Sequence, residues 1–184
     1  MEFVEPIRDL EKIRLIKILL KEQSLRDYLL FTLGINTGLR VNQMLDLKFG
    51  DVVDEQGLPK DFLQLQPKEQ DIYLNGSVRY AIRKFVEGKQ ASPEDYLFSS
   101  GSKGTPITRQ HAYRIVKQVA AKVGLIDHIG MHTLRKTFGY HAFRQGVALS
   151  LIQERFHHAT PSETLKYIGI KRGEIGTPLI NVNL

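Results

Sequence analysis

The chain has 184 residues, of which 42% are hydrophobic, and a formal net charge of +6 at pH 7. This length suits one domain with a sizeable core, and the composition is that of a globular protein rather than a disordered one. The sequence contains no cysteine, which excludes disulfides and thiolate metal sites, and it has neither a signal-peptide pattern nor a membrane-length apolar run. We therefore expect a cytoplasmic protein with no membrane partner.

Helical periodicity dominates the beginning of the sequence. Apolar residues recur at helical spacing through Asp9–Glu22, which predicts an amphipathic first helix. Ser24 is the expected N-cap of a second helix that ends near Gly38. A short third helix is predicted to follow Arg40.

The pattern then changes to short strands. Residues 62–65 and 72–74 form two apolar runs, and Pro67–Gln70 lies between them as a short turn. This arrangement predicts a β-hairpin, after which residues 78–86 return to helical spacing. Residues 99–104, rich in Ser and Gly, have the composition of a loop.

The second half of the chain is predicted to be helical. Helices are expected from Thr108 to near Gly124, from His132 to Gly146, from Leu149 to Phe156, and from a strong start at Thr160–Pro161–Ser162–Glu163. In that start Thr is the N-cap, Pro takes the first helical position, and Glu stands where a capping box requires it. The predicted fold class is mainly α with a small antiparallel β-sheet, an α+β arrangement.

Positive charge is concentrated in this second half. From Lys103 to Arg144 the sequence has eight Lys or Arg and one acid, Asp127, so the remainder is close to neutral. A local basic excess is typical of a protein that contacts phosphate, and a solvated surface gives the same composition. Charge alone leaves both interpretations open.

A set of residues suited to DNA strand transfer occurs along the chain. Such a reaction needs guanidinium groups for the phosphate oxygens, a hydroxyl nucleophile, and a general acid for the departing sugar oxygen. His132 and Arg135 are spaced i, i+3 on a predicted helix and so share a face, and Arg40 stands at the turn after the second helix. His158 precedes the Thr160 start, and Tyr167 follows that start by about two helical turns.

Each of these elements also has a structural interpretation. A helix-terminal Arg is usually a solvated charge, a lone His-x-x-Arg is usually structural, and a lone Tyr in an apolar context is usually a core residue. His157 and His158 could form a surface pair. A zinc site is not expected, because the six histidines lack cysteines and nearby carboxylates at ligand spacing.

Taken in order, the Arg, His-x-x-Arg, His and Tyr motifs formed by these residues make the chain resemble the tyrosine recombinase (phage integrase) family from about Ile13 to Ile170. The resemblance implies the catalytic-domain fold of that family and DNA cleavage and rejoining through a 3′-phosphotyrosyl bond, without metal, ATP or other cofactor. Arg40 and Arg135 would bind the scissile phosphate, and His132 would act in acid–base chemistry or phosphate contact. His158 would hydrogen-bond the phosphate, and Tyr167 would attack it.

The sequence departs from the family pattern at three places. Gln43 stands where the family usually has an acid beside the first arginine, and Lys136 replaces a frequent His. In the hairpin, Leu65 falls on the position of the family's catalytic lysine. Lys68 in the turn either substitutes for that lysine after a loop shift or is an ordinary surface lysine.

The expected partner is double-stranded DNA, bound by a homotetramer, and the protein can be a monomer without DNA. No small-molecule substrate is expected, and the protein is expected to associate with the nucleoid. The expected DNA contacts, each of which could instead be a solvated charge, are Lys103, Arg109, Arg114, Lys117 and Lys136. Residues 1–170 would form the catalytic domain, and residues 171–184 a tail that is either exchanged between protomers or docked on its own domain. The family's N-terminal DNA-clamping domain has no counterpart here.

Three functions are compatible with these residues. The first is an integrase or recombinase of a phage or other mobile element. The second is a DNA-binding relic of the same fold without turnover, which Leu65 and Gln43 motivate. The third is a nicking and closing enzyme of the type IB topoisomerase kind, which uses the same chemistry on one supercoiled circle.

Overall fold

The computed structural model describes residues 4–65, 70–101, 104–126, 128–130 and 132–174. Within these ranges the helices are α1 Leu10–Gln23, α2 Leu25–Thr37, α3 Val41–Leu45, α4 Phe49–Val52, α5 Gly76–Val86, α6 Arg109–Lys122, α7 Thr133–Arg144, α8 Leu149–Phe156 and α9 Pro161–Ile168. One 3₁₀ turn covers Arg172–Glu174. The strands β1 Phe62–Leu63 and β2 Ile72–Tyr73 pair antiparallel, with Phe62 opposite Tyr73. The predicted fold class is confirmed.

The helix boundaries follow the capping residues. Asp9 accepts hydrogen bonds from two backbone amides of the first turn of α1, and the Ser24 hydroxyl accepts one at the start of α2. The Thr160 hydroxyl accepts the Glu163 amide at 3.1 Å, so α9 begins where the sequence predicts. The Glu163 carboxylate accepts the Ala159 amide instead of closing the expected capping box on Thr160.

Most of the core surrounds α2. This helix packs against α1, α5 and α7, and its Leu29, Phe31 and Leu33 are fully buried. Residues of the hairpin and of α5 and α6 complete this cluster, in which Leu63 of β1 is fully buried and Leu65 is partly buried. The hairpin is thus fixed to the main core by apolar side chains.

A second, smaller core holds α7, α8 and α9 together. It contains Ile152 and Phe156 of α8 and Ile168 of α9, with the ring of Tyr167 packed against it. A Cβ atom on Gly139 of α7 would lie 2.5 Å from Ile168 and 2.7 Å from Phe156, so only glycine permits this approach. The position of Tyr167 therefore depends on close packing of three short helices.

Residues 4–8 lie across α7 and reach the end of α9. The Lys136 ammonium donates to the carbonyl of Val4 at 2.8 Å, and the Ile7 amide donates to the Thr137 hydroxyl at 2.9 Å. The Arg8 guanidinium donates to the carbonyl of Gly169 at 2.9 Å, just beyond α9. We name this segment the N-terminal strap, and it connects the start of the chain to the helices that carry the candidate site.

Candidate active site

Arg40 stands at the turn between α2 and α3. Gly38 ends α2 in the left-handed region with φ 68°, a conformation that favours glycine, and Leu39 is buried. Arg40 is then the N-cap of α3, exposed, and its backbone amide donates to Oε1 of Gln43 at 2.9 Å. Gln43 therefore fixes the backbone that presents Arg40, as a carboxylate at this position could.

Arg135 lies in the first turn of α7 and is only 7% exposed. Its Nη1 donates to the carbonyl of Gly38 at 2.7 Å, and its guanidinium carbon lies 4.5 Å from the ring centroid of Phe156. These contacts place Arg135 beside the turn that carries Arg40. Burial lowers the pKa of Arg135 to about 10, so it is charged at neutral pH.

His132 is the N-cap residue of α7 and lies beside the phenol of Tyr167. Its Nδ1 is 3.3 Å from the Tyr167 Oη, within hydrogen-bond reach. Desolvation of the ring, followed by the positive charges of Lys136 and Arg109, lowers the pKa of His132. At neutral pH the imidazole is therefore neutral, and Nδ1 can accept a proton from the phenol.

His158 follows α8 and faces both the tyrosine and α9. His157 ends α8 in the left-handed region with φ 55°, which turns the chain toward α9. The Nδ1 of His158 is 3.1 Å from the buried hydroxyl of Thr164, and its ring centroid is 5.0 Å from that of Tyr167. Burial lowers the pKa of His158, and the charges of Arg135 and Arg40 act in the same direction.

Tyr167 is half-buried on α9, in contact with groups from α7 and α8. Its ring meets that of Phe156 edge to face at 5.3 Å, and the Lys136 ammonium lies 5.2 Å from its centroid. Burial raises the pKa of Tyr167, and the charge of Arg135 partly opposes this. The phenol therefore keeps its proton at neutral pH, and a nucleophilic role requires a base beside it.

One cavity of about 570 Å³ brings the candidate catalytic residues together. Arg40, His132, Arg135, His158 and Tyr167 all line it, although they are separated by up to 127 positions in the chain. Arg109, predicted from the sequence only as a DNA contact, also lines this cavity. The five residues chosen from sequence spacing thus share one surface.

The other predicted residues are distributed more widely. Arg114 and Lys117 are exposed on α6, where Lys117 lies 5.4 Å from the ring centroid of Tyr113. Lys136 lies between the N-terminal strap and the Tyr167 ring. Lys68, Lys103 and the tail from residue 175 lie outside the described residues.

Sequence reasoning missed two residues at this site. Thr164 contacts His158, and the Phe156 ring lies under both Arg135 and Tyr167. Thr164 precedes Tyr167 by three positions on one predicted helix, so helical spacing could have placed it on the tyrosine's face. Nothing in the spacing could have singled out Phe156 from other core aromatics.

Two features are absent from the described part of the chain. No group of three or more His, Asp or Glu there is arranged to hold a metal ion. No helix there is both long and apolar enough to cross a membrane.

Residues 8–173 match the phage integrase family. The chain belongs to that family. This membership confirms the resemblance drawn from the Arg, His-x-x-Arg, His and Tyr boxes. It supports the expectation of a tyrosine recombinase and gives no better support to the relic or the topoisomerase.

Relatives within the phage integrase family carry recombinase names. The chain is 39% identical over 170 residues to the probable integrase/recombinase YoeC of Bacillus subtilis, with 92% of each chain covered. It is 30% identical to a tyrosine recombinase of Pseudothermotoga lettingae, covering 85% of this chain and 53% of that protein. It thus spans nearly all of one relative and about half of the other.

Solved structures of integrase-family proteins share the fold. The XerA recombinase superposes with a TM-score of 0.75 at 20% identity, covering 95% of this chain and 63% of that one. The XerH site-specific recombinase, bound to its difH substrate in a pre-cleavage complex, gives 0.71 at 20% identity, covering 94% and 53%. At these identities the likeness concerns the arrangement of helices and the small sheet.

Proposed function

We propose that this chain is the catalytic domain of a site-specific recombinase or integrase that cleaves and rejoins DNA through Tyr167. The observation that carries the proposal is the single cavity shared by two arginines, two histidines and the tyrosine, with the phenol oxygen 3.3 Å from His132. DNA as the substrate is supported by relatives such as the Tn1549 transposon integrase, which was solved in complex with circular intermediate DNA.

The two arginines would bind the scissile phosphate. The carbonyls of Gly38 and Arg155 each accept one hydrogen bond from Arg135, and the other N–H groups of its guanidinium would serve the cavity that it lines. Arg40 enters the same cavity from the N-terminus of α3, where it is exposed. Planar guanidinium groups suit the non-bridging oxygens, on which charge accumulates as the phosphorus becomes pentacoordinate.

His132 would remove the phenol proton. The Tyr167 oxygen forms a bond to phosphorus, the bond from phosphorus to the 5′ oxygen breaks, and the phenol proton passes to Nδ1 of His132. His158 would donate a hydrogen bond to the phosphate. The product is a 3′-phosphotyrosyl bond and a free 5′ hydroxyl, and reversal of the step on a new strand completes recombination.

The departing 5′ oxygen needs a proton from a general acid. Leu65 packs against the main core and has no proton to give. Gln70, the last residue of the predicted turn, donates to Glu154 of α8 at 2.6 Å, and α8 is the helix that leads to His158. We therefore propose Lys68, within this turn, as the candidate acid, and DNA with a 5′ bridging sulfur at the scissile position tests this role.

DNA would extend from the cavity along α6. Arg109 at the start of this helix lines the cavity, and Arg114 and Lys117 continue on its exposed surface. Lys136 belongs to the same site through its contact with the Tyr167 ring. Phosphate contacts of this kind supply sequence-independent affinity and make binding depend on salt.

Assembly would follow the family arrangement, in which four protomers hold two duplexes. The tail from Lys171 would pack on a neighbouring protomer on DNA and on its own domain without DNA. Sedimentation of the full chain and of a chain lacking residues 171–184, each with and without DNA, tests this. Equal assembly of both chains on DNA would exclude exchange of the tail.

A nicked DNA substrate that loses its 5′ fragment on cleavage traps the covalent adduct and tests the proposal. The wild-type chain is expected to form a denaturant-stable adduct, and Tyr167→Phe to form none while binding DNA almost normally. Tyr73→Phe is the matched control, because Tyr73 is 54% exposed on the hairpin and does not line the cavity. An adduct formed by Tyr167→Phe would contradict the assignment of the nucleophile.

A further inference from the structure

Thr164 is a buried polar residue that the proposed chemistry does not yet use. It lies on α9 one turn before Tyr167, and its side chain is completely buried. Its Oγ1 is 3.1 Å from Nδ1 of His158 and 3.3 Å from the carbonyl oxygen of Thr160. The hydroxyl thus has two neighbours that could accept its single proton.

The direction of this proton decides what His158 can do in the cavity. If Thr164 donates to Thr160, its oxygen accepts a proton from Nδ1 of His158, and the neutral ring then has a bare Nε2. If Thr164 donates to Nδ1, the neutral ring carries its proton on Nε2. Because Nδ1 is occupied by Thr164, Nε2 is the nitrogen left for the cavity, and only the second arrangement lets neutral His158 donate to a phosphate oxygen.

The surroundings of His158 favour the neutral ring. Burial, the charges of Arg135 and Arg40, and the adjacent His157 all lower its pKa, and the carboxylate of Glu163 opposes them. An imidazolium could donate from both nitrogens whatever Thr164 does. In a neutral ring, the direction of the Thr164 hydrogen bond decides which ring nitrogen carries the proton.

We propose that Thr164 is a positioning residue for His158: its hydroxyl donates to Nδ1, fixes the ring, and holds the proton on Nε2 for the scissile phosphate. This inference rests on the proposed function and adds the Thr164 hydroxyl to the groups that support cleavage. It also explains why a hydroxyl is buried on α9 facing the histidine, because the same helix then positions both the nucleophile and one phosphate donor.

The first test is the tautomer of His158 in the wild-type chain. At a pH where the ring is neutral, ¹⁵N–¹H correlation spectra of ring-labelled protein are expected to show a protonated Nε2 and an unprotonated Nδ1. The His158 signals are assigned by their loss in His158→Asn. A proton on Nδ1 would overturn the proposal without any Thr164 variant.

The second test uses Thr164→Val and Thr164→Ser in single-turnover cleavage of the nicked substrate. Valine keeps the branched shape and removes the hydroxyl, and we expect cleavage about tenfold slower with mixed His158 tautomers. Serine keeps the hydroxyl and is expected to restore both the rate and the spectrum. Thr32→Val is the matched control, because Thr32 is fully buried in α2 and its hydroxyl has no hydrogen-bond partner among the described residues.

The outcomes separate this inference from the proposed function. If the wild-type chain forms no adduct, the proposed function fails, and the tautomer measurement still decides the role of Thr164. If the wild type forms the adduct and Thr164→Val cleaves at the same rate, the positioning role is wrong. If Thr164→Val does not fold, the wild-type tautomer together with rescue by serine remains decisive.

Discussion

Replacing Arg135 by lysine keeps one positive charge and removes the planar guanidinium. In the wild type, Nη1 donates to the Gly38 carbonyl at 2.7 Å and Nη2 to the Arg155 carbonyl at 3.4 Å. A single ammonium nitrogen cannot reach both carbonyls and also a phosphate oxygen in the cavity. Arg135→Lys should therefore lose at least one backbone contact together with the proposed guanidinium contact to phosphate.

The two losses have different magnitudes and different readouts. A hydrogen bond from a charged group stabilises a fold by about 1.5–3 kcal/mol. For a domain of this size each kcal/mol shifts the melting temperature by about 2–4 °C, so we expect a decrease of roughly 3–12 °C. Loss of a preorganised contact to the transition state slows cleavage by about 10²–10³.

The assay is single-turnover cleavage of the nicked substrate at saturating protein, well below the melting temperature of the variant. Arg144→Lys is the matched control, because Arg144 is exposed in the last turn of the same helix and lies outside the cavity. It should cleave and melt like the wild type. Near-normal cleavage by Arg135→Lys would show that this guanidinium supports the fold and does not bind the phosphate.

Three further predictions concern the base, the DNA surface and the leaving group. Because the pKa of His132 lies below its ordinary 6.5, the cleavage rate should not vary with pH around neutrality and should fall only in more acidic solution. The variant His132→Gln should cleave slowly and should not show this fall. A fall centred above pH 7 would contradict the assignment. Neutralising Arg109, Arg114 and Lys117 together should reduce the log–log salt slope of DNA binding by about 0.9 per lost contact, and an unchanged slope would refute contact along α6. With a 5′ bridging sulfur, whose thiol has a pKa of about 8.5, no general acid is needed. Lys68→Ala should then slow only the oxygen substrate; equal rates with the wild type on both substrates would make Lys68 a surface lysine.

Much of the fold follows from local chemistry. Asp9, Ser24 and Thr160 cap helices where their side chains can accept backbone amides. The two apolar runs at residues 62–65 and 72–74, separated by a short turn, predict the hairpin. The sequence did not predict α4, because Phe49–Val52 is a single turn with glycine inside it. So short a helix has no periodicity and depends on packing around it.

The site was predictable as a set of residues but not as a geometry. Spacing placed His132 and Arg135 together, whereas the contact of His132 with Tyr167 joins residues 35 positions apart and depends on the packing of α7 on α9. The hydrogen bond of Arg135 to Gly38 spans 97 positions and is equally nonlocal. Contacts of this kind are set by tertiary packing, which no local pattern contains.

The central claim is that Tyr167 is the nucleophile. The direct measurement is mass spectrometry of the wild-type adduct after nuclease and protease digestion, which identifies the peptide and the residue that carry the nucleotide. We predict a single phosphotyrosyl linkage, at Tyr167. A linkage at any other residue, such as Tyr140 or Tyr113, would contradict the account.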